Sequence, residues 1–435
     1  MRHRAALVMV AVAITAGAAA RADERPPVTP SSRESCAVVS RANVAACAVG
    51  ASVVVVAERE GIAAAIGRRT AAAPWFPANP TLALSASRRG ATEGNAPAAN
   101  FSASVAQEIE IAGQRASRRR AADADVAART NDTVAATRKV AARAYAAYFD
   151  ALAARDALAM ARRLEATGAQ VASVTRARAD AGVTSSVDAE VTEASSLRLA
   201  RERMEAERAE SVSLSTLAVL LGREPSRGSF AATGMLDPLT GSDALATSSG
   251  MVAPRDRPEV KALKDEQRAF EARAEGFRRS RYPTLTLQIF AQNDGYNERV
   301  FGGGIAIPLP LPQPVGRTYV GEAAESEAIA RQSAARAEQV TRVLSSELAS
   351  ALVTYESARA QAALYTPDRI TRTERTIRDM AAEVESGRLA VRDAVVAQQQ
   401  LMDLLRGQID AKHSLSIASV DLALAAGVPL EGAAR

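Results

Sequence analysis

Aromatic residues are scarce in this chain, because Phe, Trp and Tyr together make up 4% of its 435 residues. So few large rings argue against a thick globular core. Histidine is rarer still, with only His3 and His413 present. His3 would leave with an N-terminal signal peptide and His413 is alone in a helical stretch, so the sequence offers no paired histidine and nucleophile. The sequence also offers no cluster of metal ligands. We therefore expect no catalytic residue, no bound cofactor and no metal site, and a protein that is not an enzyme.

Neither sign of charge dominates the chain. It contains 54 Lys and Arg residues against 49 Asp and Glu residues, a formal net charge of +5. The two signs are interspersed along the sequence and do not form separate blocks. This pattern argues against a dedicated nucleic-acid binder, so no nucleic-acid partner is expected.

Long apolar runs are also few. The first lies at the N-terminus, where Arg2 and Arg4 precede an apolar stretch over residues 5–20 and then the small-residue site Ala20-Arg21-Ala22. This order predicts a cleaved signal peptide over residues 1–22; the alternative is a membrane anchor. A second run, residues 42–57, falls short of the ~20 residues of a membrane-spanning helix and predicts a packed helix.

Cysteine occurs only at positions 36 and 47. On one continuous helix these residues would lie about 16 Å apart. A disulfide needs Cα atoms within about 7 Å of each other. Cys36 and Cys47 could therefore pair only if the chain turned near Ala42–Asn43, and the alternative is two buried thiols.

The chain has the pattern of an internal duplication, which is its most informative feature. Matching residues recur at a nearly constant offset: Pro80 with Pro283, 203 apart, and Gly182 with Gly387, Asp188 with Asp393 and Gly222 with Gly427, each 205 apart. Each half then has the same predicted order of a shorter helix, a strand pair, a very long helix, a tight turn and a returning helix. No proline occurs between Pro97 and Pro225, which suits an uninterrupted helix of roughly 100 Å.

The boundaries follow from this register. The first repeat, 23–222, has predicted strands at about 80–88 and 100–112 and a helical hairpin at about 113–222 with its tip at Gly182. Residues 223–256 are rich in Gly, Ser, Thr and Pro and predict a linker or equatorial segment. The second repeat, 257–429, has predicted strands at about 283–293 and 300–310 and a hairpin at about 316–427 with its tip at Gly387, followed by a tail at 430–435. Thr366-Pro367 predicts a break in its long helix.

The four predicted strands alternate between apolar and polar residues. Leu285, Leu287 and Ile289 share one face, for example, while Thr286 and Gln288 share the other. The strands have the 9–11 residues of a membrane-spanning β-strand, although a small soluble sheet would show the same alternation. Aromatic and arginine residues flank them, as at a membrane interface; the predicted interface residues are Trp75, Phe76, Tyr282, Arg118, Arg119 and Arg281.

Four strands cannot close a barrel, and open strand edges are not tolerated in lipid. Membrane barrels need at least eight strands. If these strands cross a membrane, the barrel must be shared among subunits, and three copies would supply twelve strands.

Five segments in this order resemble the TolC family of outer-membrane efflux ducts: NPTLALSA at 79–86, QEIEIAGQR at 107–115, RPEV at 257–260, YPTLTLQI at 282–289 and IPLPLPQPVGR at 307–317. The resemblance covers nearly all of the mature chain. It implies a mainly α fold with a membrane β-barrel part. It further implies a homotrimer whose twelve-stranded barrel lies in the outer-membrane lipid of a Gram-negative bacterium and continues as a long periplasmic α-helical barrel.

QEIEIAGQR and IPLPLPQPVGR look most like the heavy-metal cation-efflux branch of the family. That branch works with a periplasmic adaptor and an inner-membrane pump of the resistance–nodulation–division type. The resemblance places the adaptor contacts at the two hairpin tips: Gly182, Val183, Thr184, Gly387, Arg388 and Leu389. It implies a passive duct that exports small solutes such as heavy-metal cations or drugs. The alternative, a soluble periplasmic coiled-coil adaptor or scaffold protein, leaves the two strand pairs unexplained.

Overall fold

The computed structural model describes residues 36, 38–89, 98–224, 231–247, 250–293, 299–312 and 315–430. The predicted signal peptide and residues 431–435 of the predicted tail lie outside these ranges. The helices are α1 (Val44–Ala51), α2 (Val53–Ala72), α3 (Gln114–Asp180), α4 (Ser186–Leu220), α5 (Ser242–Ala246), α6 (Pro258–Arg279), α7 (Val320–Ala363), α8 (Pro367–Glu385) and α9 (Val391–Ala425), with a 3₁₀ turn at Pro254–Asp256. The strands are β1 (Val38–Val39), β2 (Thr81–Arg89), β3 (Ala98–Ile109), β4 (Ala231–Ala232), β5 (Leu285–Asn293) and β6 (Arg299–Ala306).

Helix α3 runs without interruption for 67 residues, or about 100 Å. It begins after Gly113 and ends before Gly182, and both glycines adopt the positive φ that side-chain-bearing residues avoid. Alanines such as Ala121, Ala128 and Ala141 fill its buried face, so neighbouring helices can approach closely. The helix packs against α2 and α6 on the sheet side and against α4, α8 and α9 on the tip side.

The long helix of the second repeat is interrupted. Helix α7 ends at Ala363, and α8 begins at Pro367 after an extended Thr366. Proline has no amide hydrogen to continue the preceding ladder but fits the first turn of a new helix. The two repeats therefore differ where the sequence predicted that they would.

The larger sheet has the strand order β2-β3-β5-β6, and every neighbouring pair is antiparallel. Its outer strands, β2 and β6, each have one edge without a partner strand among the described residues. Two strands end more than two residues before their predicted ends. β3 stops at Ile109, three residues before the predicted end, and β6 stops at Ala306 because Pro308 and Pro310 cannot donate to a ladder.

The main core lies at mid-height, around the middle of α3. Tyr145, Tyr148 and Phe149 are fully buried there. Residues 223–256, predicted as a linker, pack onto this core over their described part: β4 pairs in parallel with β1, and Leu236 and Leu239 are buried. Tyrosine hydroxyls join the layers, because Tyr145 donates to the Arg41 carbonyl (2.9 Å) and Tyr148 to the Thr233 carbonyl (2.7 Å).

Cys36 and Cys47 form a disulfide, with their Cα atoms 6.1 Å apart. The pairing is possible because the chain turns at residues 40–43, where the amides of Asn43 and Val44 both donate to the Ser40 carbonyl, and α1 begins only afterwards. The disulfide is therefore confirmed, and the alternative of two buried thiols is wrong. The single packed helix expected over residues 42–57 is wrong, because Ser52 separates α1 from α2.

Among the described residues, no helix combines the length and the apolar character needed to cross a membrane.

Candidate functional site

One face of the larger sheet is apolar and exposed. The register places Leu84, Ala103, Ala291 and Phe301 in one row across the four strands. Leu84 and Phe301 leave 73% and 76% of their surfaces accessible, and none of the described helices covers them. Exposed apolar surface on this scale is typical of a face that lies against lipid or another protein.

The opposite face is small and polar. Ser85 and Ser102 face each other with their hydroxyl oxygens 2.7 Å apart. Phe290 is the large exception on this face, and its ring lies where a side chain at Gly302 would be. Part of the triple glycine at 302–304 therefore makes room for this ring. An apolar face backed by a polar one is the pattern of a barrel strand between lipid and lumen.

The predicted interface aromatics lie near the helix end of the sheet. Trp75, Phe76 and Tyr282 are all exposed, just before β2 and β5. Arg115, at the start of α3, packs over the Trp75 ring at 4.1 Å and donates to the Ala73 carbonyl (2.9 Å). This contact fixes the segment that presents Trp75 and Phe76.

The predicted interface arginines do not share one environment. Arg118 pairs with the nearly buried carboxylate of Glu110, so its charge is neutralised within the chain. Arg119 and Arg281 are exposed. Other arginines at this level also have carboxylate partners, with Arg68 bonded to Asp125, Arg278 to Glu327 and Arg317 to Glu322. Of the three predicted arginines, Arg119 and Arg281 present the more accessible charges.

The first hairpin tip is closed by Gly182. Its amide donates to the Ala179 carbonyl (2.9 Å), and the Val183 amide donates to the Arg178 carbonyl (2.9 Å). This bonding ends α3 with a residue of positive φ. Ser185 then caps α4. Val183 remains 63% exposed, so the tip presents an apolar side chain to its surroundings.

The second tip repeats this backbone geometry with different side chains. Gly387 has positive φ, and the Arg388 amide donates to the Glu383 carbonyl (3.0 Å). The Arg388 guanidinium also pairs with the Glu383 carboxylate at 2.9 Å. Leu389 packs against the cluster that contains Met380, so it is less available than Val183.

Arg178 connects the two tips, a role that was not predicted from the sequence. Its guanidinium donates to the Glu385 carbonyl of the second tip and to the Thr184 hydroxyl of the first (3.4 Å). One sequence signal could have identified it. Arg178 lies 205 residues before Glu383, so the duplication pairs a basic residue in one tip with an acidic residue in the other.

Titratable groups with shifted pKa values occur at mid-height. Burial, and then the hydrogen bond to Asp243 (2.9 Å), raises the pKa of Tyr355 to about 12. Burial also lowers the pKa of Arg138, with a contribution from nearby Arg257. Both arginines donate to carbonyls at the end of α9, which gives them a structural role. In the described part of the chain, no group of three or more His, Cys, Asp or Glu side chains could hold a metal ion.

Comparisons with known proteins agree with this architecture. Residues 57–223 match the family described as Outer membrane efflux protein. No curated protein matches the chain.

Solved structures match over most of their lengths. The outer membrane protein VceC from Vibrio cholerae is 16% identical with a TM-score of 0.70, and the match covers 90% of this chain and 96% of that one. The MtrE outer membrane channel of Neisseria gonorrhoeae is 17% identical with a TM-score of 0.69, covering 90% of each chain. The channel-forming protein CusC is 16% identical with a TM-score of 0.69, covering 89% of this chain and 92% of that one. The chain therefore has the mainly helical fold of these channels, with its first repeat matching the outer membrane efflux protein family.

Proposed function

We propose that this chain is the outer-membrane component of a tripartite efflux system and forms a passive duct from periplasm to exterior. The observation that carries the proposal is the larger sheet, whose apolar face is exposed and whose outer strands, β2 and β6, each leave one edge without a partner strand among the described residues. The sheet continues directly into helices long enough to extend far from a membrane. The family match and the fold support the same function.

The open edges of β2 and β6 favour a homotrimer in the lipid of the outer membrane. Unpaired backbone groups are costly in lipid, so the sheet must close. A closed barrel needs at least eight strands, and three copies of this sheet provide twelve. β6 of one copy would then pair with β2 of the next.

The helices also offer a surface for a neighbouring copy. Val53, Val54 and Val56 at the start of α2 and Val212 and Val219 near the end of α4 are all exposed, by 49% to 80%. Ala51 lies against Gly222, so these two helix ends adjoin. We refer to these five residues as the valine patch. An apolar patch at mid-height, at the edge of the helical layer, suits burial between subunits.

The hairpin tips are the proposed contacts for a periplasmic adaptor, which would couple the duct to an inner-membrane pump of the resistance–nodulation–division type. Gly182, Val183 and Thr184 lie beside Gly387, Arg388 and Leu389 because Arg178 bridges the two tips. Both tips are at the end of the molecule opposite the sheet, so they would extend into the periplasm. The exposed Trp75, Phe76, Tyr282, Arg119 and Arg281 are the proposed contacts with the membrane interface.

Export of heavy-metal cations is the finer proposal. It depends on the likeness of QEIEIAGQR and IPLPLPQPVGR to the heavy-metal branch. Deletion of the gene should then lower metal tolerance more than drug tolerance. A loss of drug tolerance alone would favour drugs as the cargo.

The test of the main proposal is the location and mass of the native particle. The full precursor would be expressed in a Gram-negative host, its membranes separated, and the detergent-extracted protein weighed. We expect a trimer in the outer membrane that conducts ions across a planar bilayer. A folded monomer or dimer in the soluble periplasmic fraction would overturn the duct and favour the coiled-coil adaptor or scaffold.

A further inference from the structure

Two arginines end the apolar face of the sheet. The helices join the sheet at the ends marked by Thr81, Ile109, Leu285 and Ala306; we call the other end the outer end. Arg88 follows Leu82, Leu84 and Ala86 on one face of β2, and Arg299 precedes Phe301 on the same face of β6. The apolar face thus changes to positive charge at its outer end.

Neither arginine has a charged partner within the described part of the chain. Arg88 and Arg299 are both exposed, and no carboxylate in the described ranges pairs with either of them. They lie on opposite edge strands, three strand spacings apart, which corresponds to about 14 Å across the sheet. In this respect they differ from Arg118, Arg278 and Arg317 at the helix end, which all have carboxylate partners.

A groove of about 550 Å³ leads from the apolar face towards Arg299. Its lining includes the small residues Ala86, Ala103 and Ala291 and the rings of Phe101 and Phe301. Asn293 and Arg299 lie at its outer end. A shallow apolar groove with a cation at its outer end suits a ligand with a hydrocarbon chain and an anionic head group.

We propose that this groove and the two arginines bind lipid A, the phosphorylated and acylated glycolipid of the outer leaflet. This inference rests on the proposed function, which places the outer end of the sheet in that leaflet. An acyl chain lies between Phe101 and Phe301, and the phosphates meet Arg299 and Arg88. Guanidinium groups suit phosphate because they donate two parallel hydrogen bonds. The site also explains why charge is placed on an otherwise apolar face.

The test is lipid binding by the full-length protein extracted from outer membranes. Wild type and the double variant Arg88→Ala/Arg299→Ala would be delipidated in detergent, titrated with purified lipid A, and analysed by native mass spectrometry. Each arginine near a charged lipid surface contributes about fivefold to binding, so loss of the pair should weaken binding by about thirtyfold. We expect the affinity of the double variant for lipid A to fall by this factor, and the affinity of Arg299→Lys to fall less.

Two controls distinguish the contribution of the arginine charges to lipid A binding from that of the apolar groove. Arg208→Ala/Arg372→Ala removes the same two charges from exposed helical positions and should bind lipid A like wild type. Ala103→Phe fills the groove without changing charge and should also weaken binding. Titration with phosphatidylglycerol should show a smaller difference between wild type and Arg88→Ala/Arg299→Ala.

The outcomes distinguish the two proposals. A double variant that sits in the outer membrane as a trimer and binds lipid A like wild type overturns the lipid A site alone. An equal loss with phosphatidylglycerol would reduce the site to a general anionic contact and also overturn it. A protein absent from the outer membrane would overturn the proposed function and this inference with it.

Discussion

Gly302 lies on β6 opposite Phe290, and a Cβ atom there would overlap the aromatic ring. Gly304, two residues further along the same face, has nothing within 4 Å of the corresponding position. We expect Gly302→Val to destabilise the sheet by about 1–3 kcal/mol through overpacking, and Gly304→Val to cost much less. The measurement is the temperature at which the detergent-extracted oligomer dissociates.

Gly302→Val/Phe290→Ala provides the control, because removal of the ring restores the space. Recovery of the dissociation temperature would assign the effect to this contact. Equal effects of valine at 302 and 304 would contradict it.

Tyr355 gives a residue-scale prediction for pH. Its pKa in the folded chain is raised to about 12 from an ordinary value of 10, by burial and by the hydrogen bond to Asp243. Because the folded-state pKa is the higher one, its contribution to stability is complete below pH 10 and is lost as the pH rises towards about 12. Tyr355→Phe removes that group, so stability should fall less steeply between pH 10 and 12.

Urea midpoints of wild type and Tyr355→Phe at pH 9 and near pH 12 would test this. Tyr282→Phe is the matched control at an exposed tyrosine and should behave as wild type. The same alkaline loss in Tyr355→Phe and wild type would show that other groups control the transition.

At the scale of elements, the disulfide closes a loop that packs against the main core. The loop between Cys36 and Cys47 contains β1, whose Val39 is fully buried and accepts a hydrogen bond from the Thr233 amide (2.8 Å). A disulfide across a short loop lowers the conformational entropy of the unfolded chain, which stabilises the folded chain by about 2–3 kcal/mol. We expect Cys36→Ser/Cys47→Ser to lower the free energy of unfolding by about this amount and to speed proteolysis between residues 223 and 256.

Treating wild type with a reducing agent should reproduce the double variant, and the agent should have no further effect on that variant. Reduced wild-type protein that resisted proteolysis as well as the oxidised form would show that the pairing of β1 with β4 does not need the covalent bond.

The two hairpins are coupled through Arg178, which reaches the second tip from the first. Arg178→Ala should increase amide hydrogen exchange at residues 383–389 several-fold, because the tips lose hydrogen bonds of about 1 kcal/mol each. Arg176→Ala is the control. Its partners Glu190 and Glu193 belong to its own hairpin, so the second tip should be unaffected. Equal exchange in both variants would contradict the coupling.

Local patterns predicted the elements better than their contacts. Glycine at 182 and the proline-free run indicated α3 and its end, since both effects depend on the local backbone. Arg178 and the Glu385 carbonyl are 207 residues apart, and only the packed helices bring them together. The pairing of Arg118 with Glu110 likewise depends on how β3 enters α3, so the sequence predicted an interface arginine where the structure places an ion pair.

At the scale of the whole molecule, the helices should meet their neighbouring copies at the valine patch. Val53→Asp/Val219→Asp introduces two carboxylates there, and burying unpaired charge between subunits is costly. Both side chains are exposed in the single chain, so its own fold should survive. We expect the trimer to dissociate to folded monomers, measured by light scattering in detergent together with circular dichroism.

Val183→Asp/Val187→Asp is the matched control, because it adds the same charge at the exposed first tip, about 48 Å along α4 from Val219. This variant should remain trimeric. A trimer that tolerated Asp at 53 and 219 would move the subunit contact away from the patch and leave pairing between β2 and β6 as its main cohesion. If only the patch variant dissociated, the helices would contribute to assembly, and the sheet edges alone would be too weak to hold three copies together.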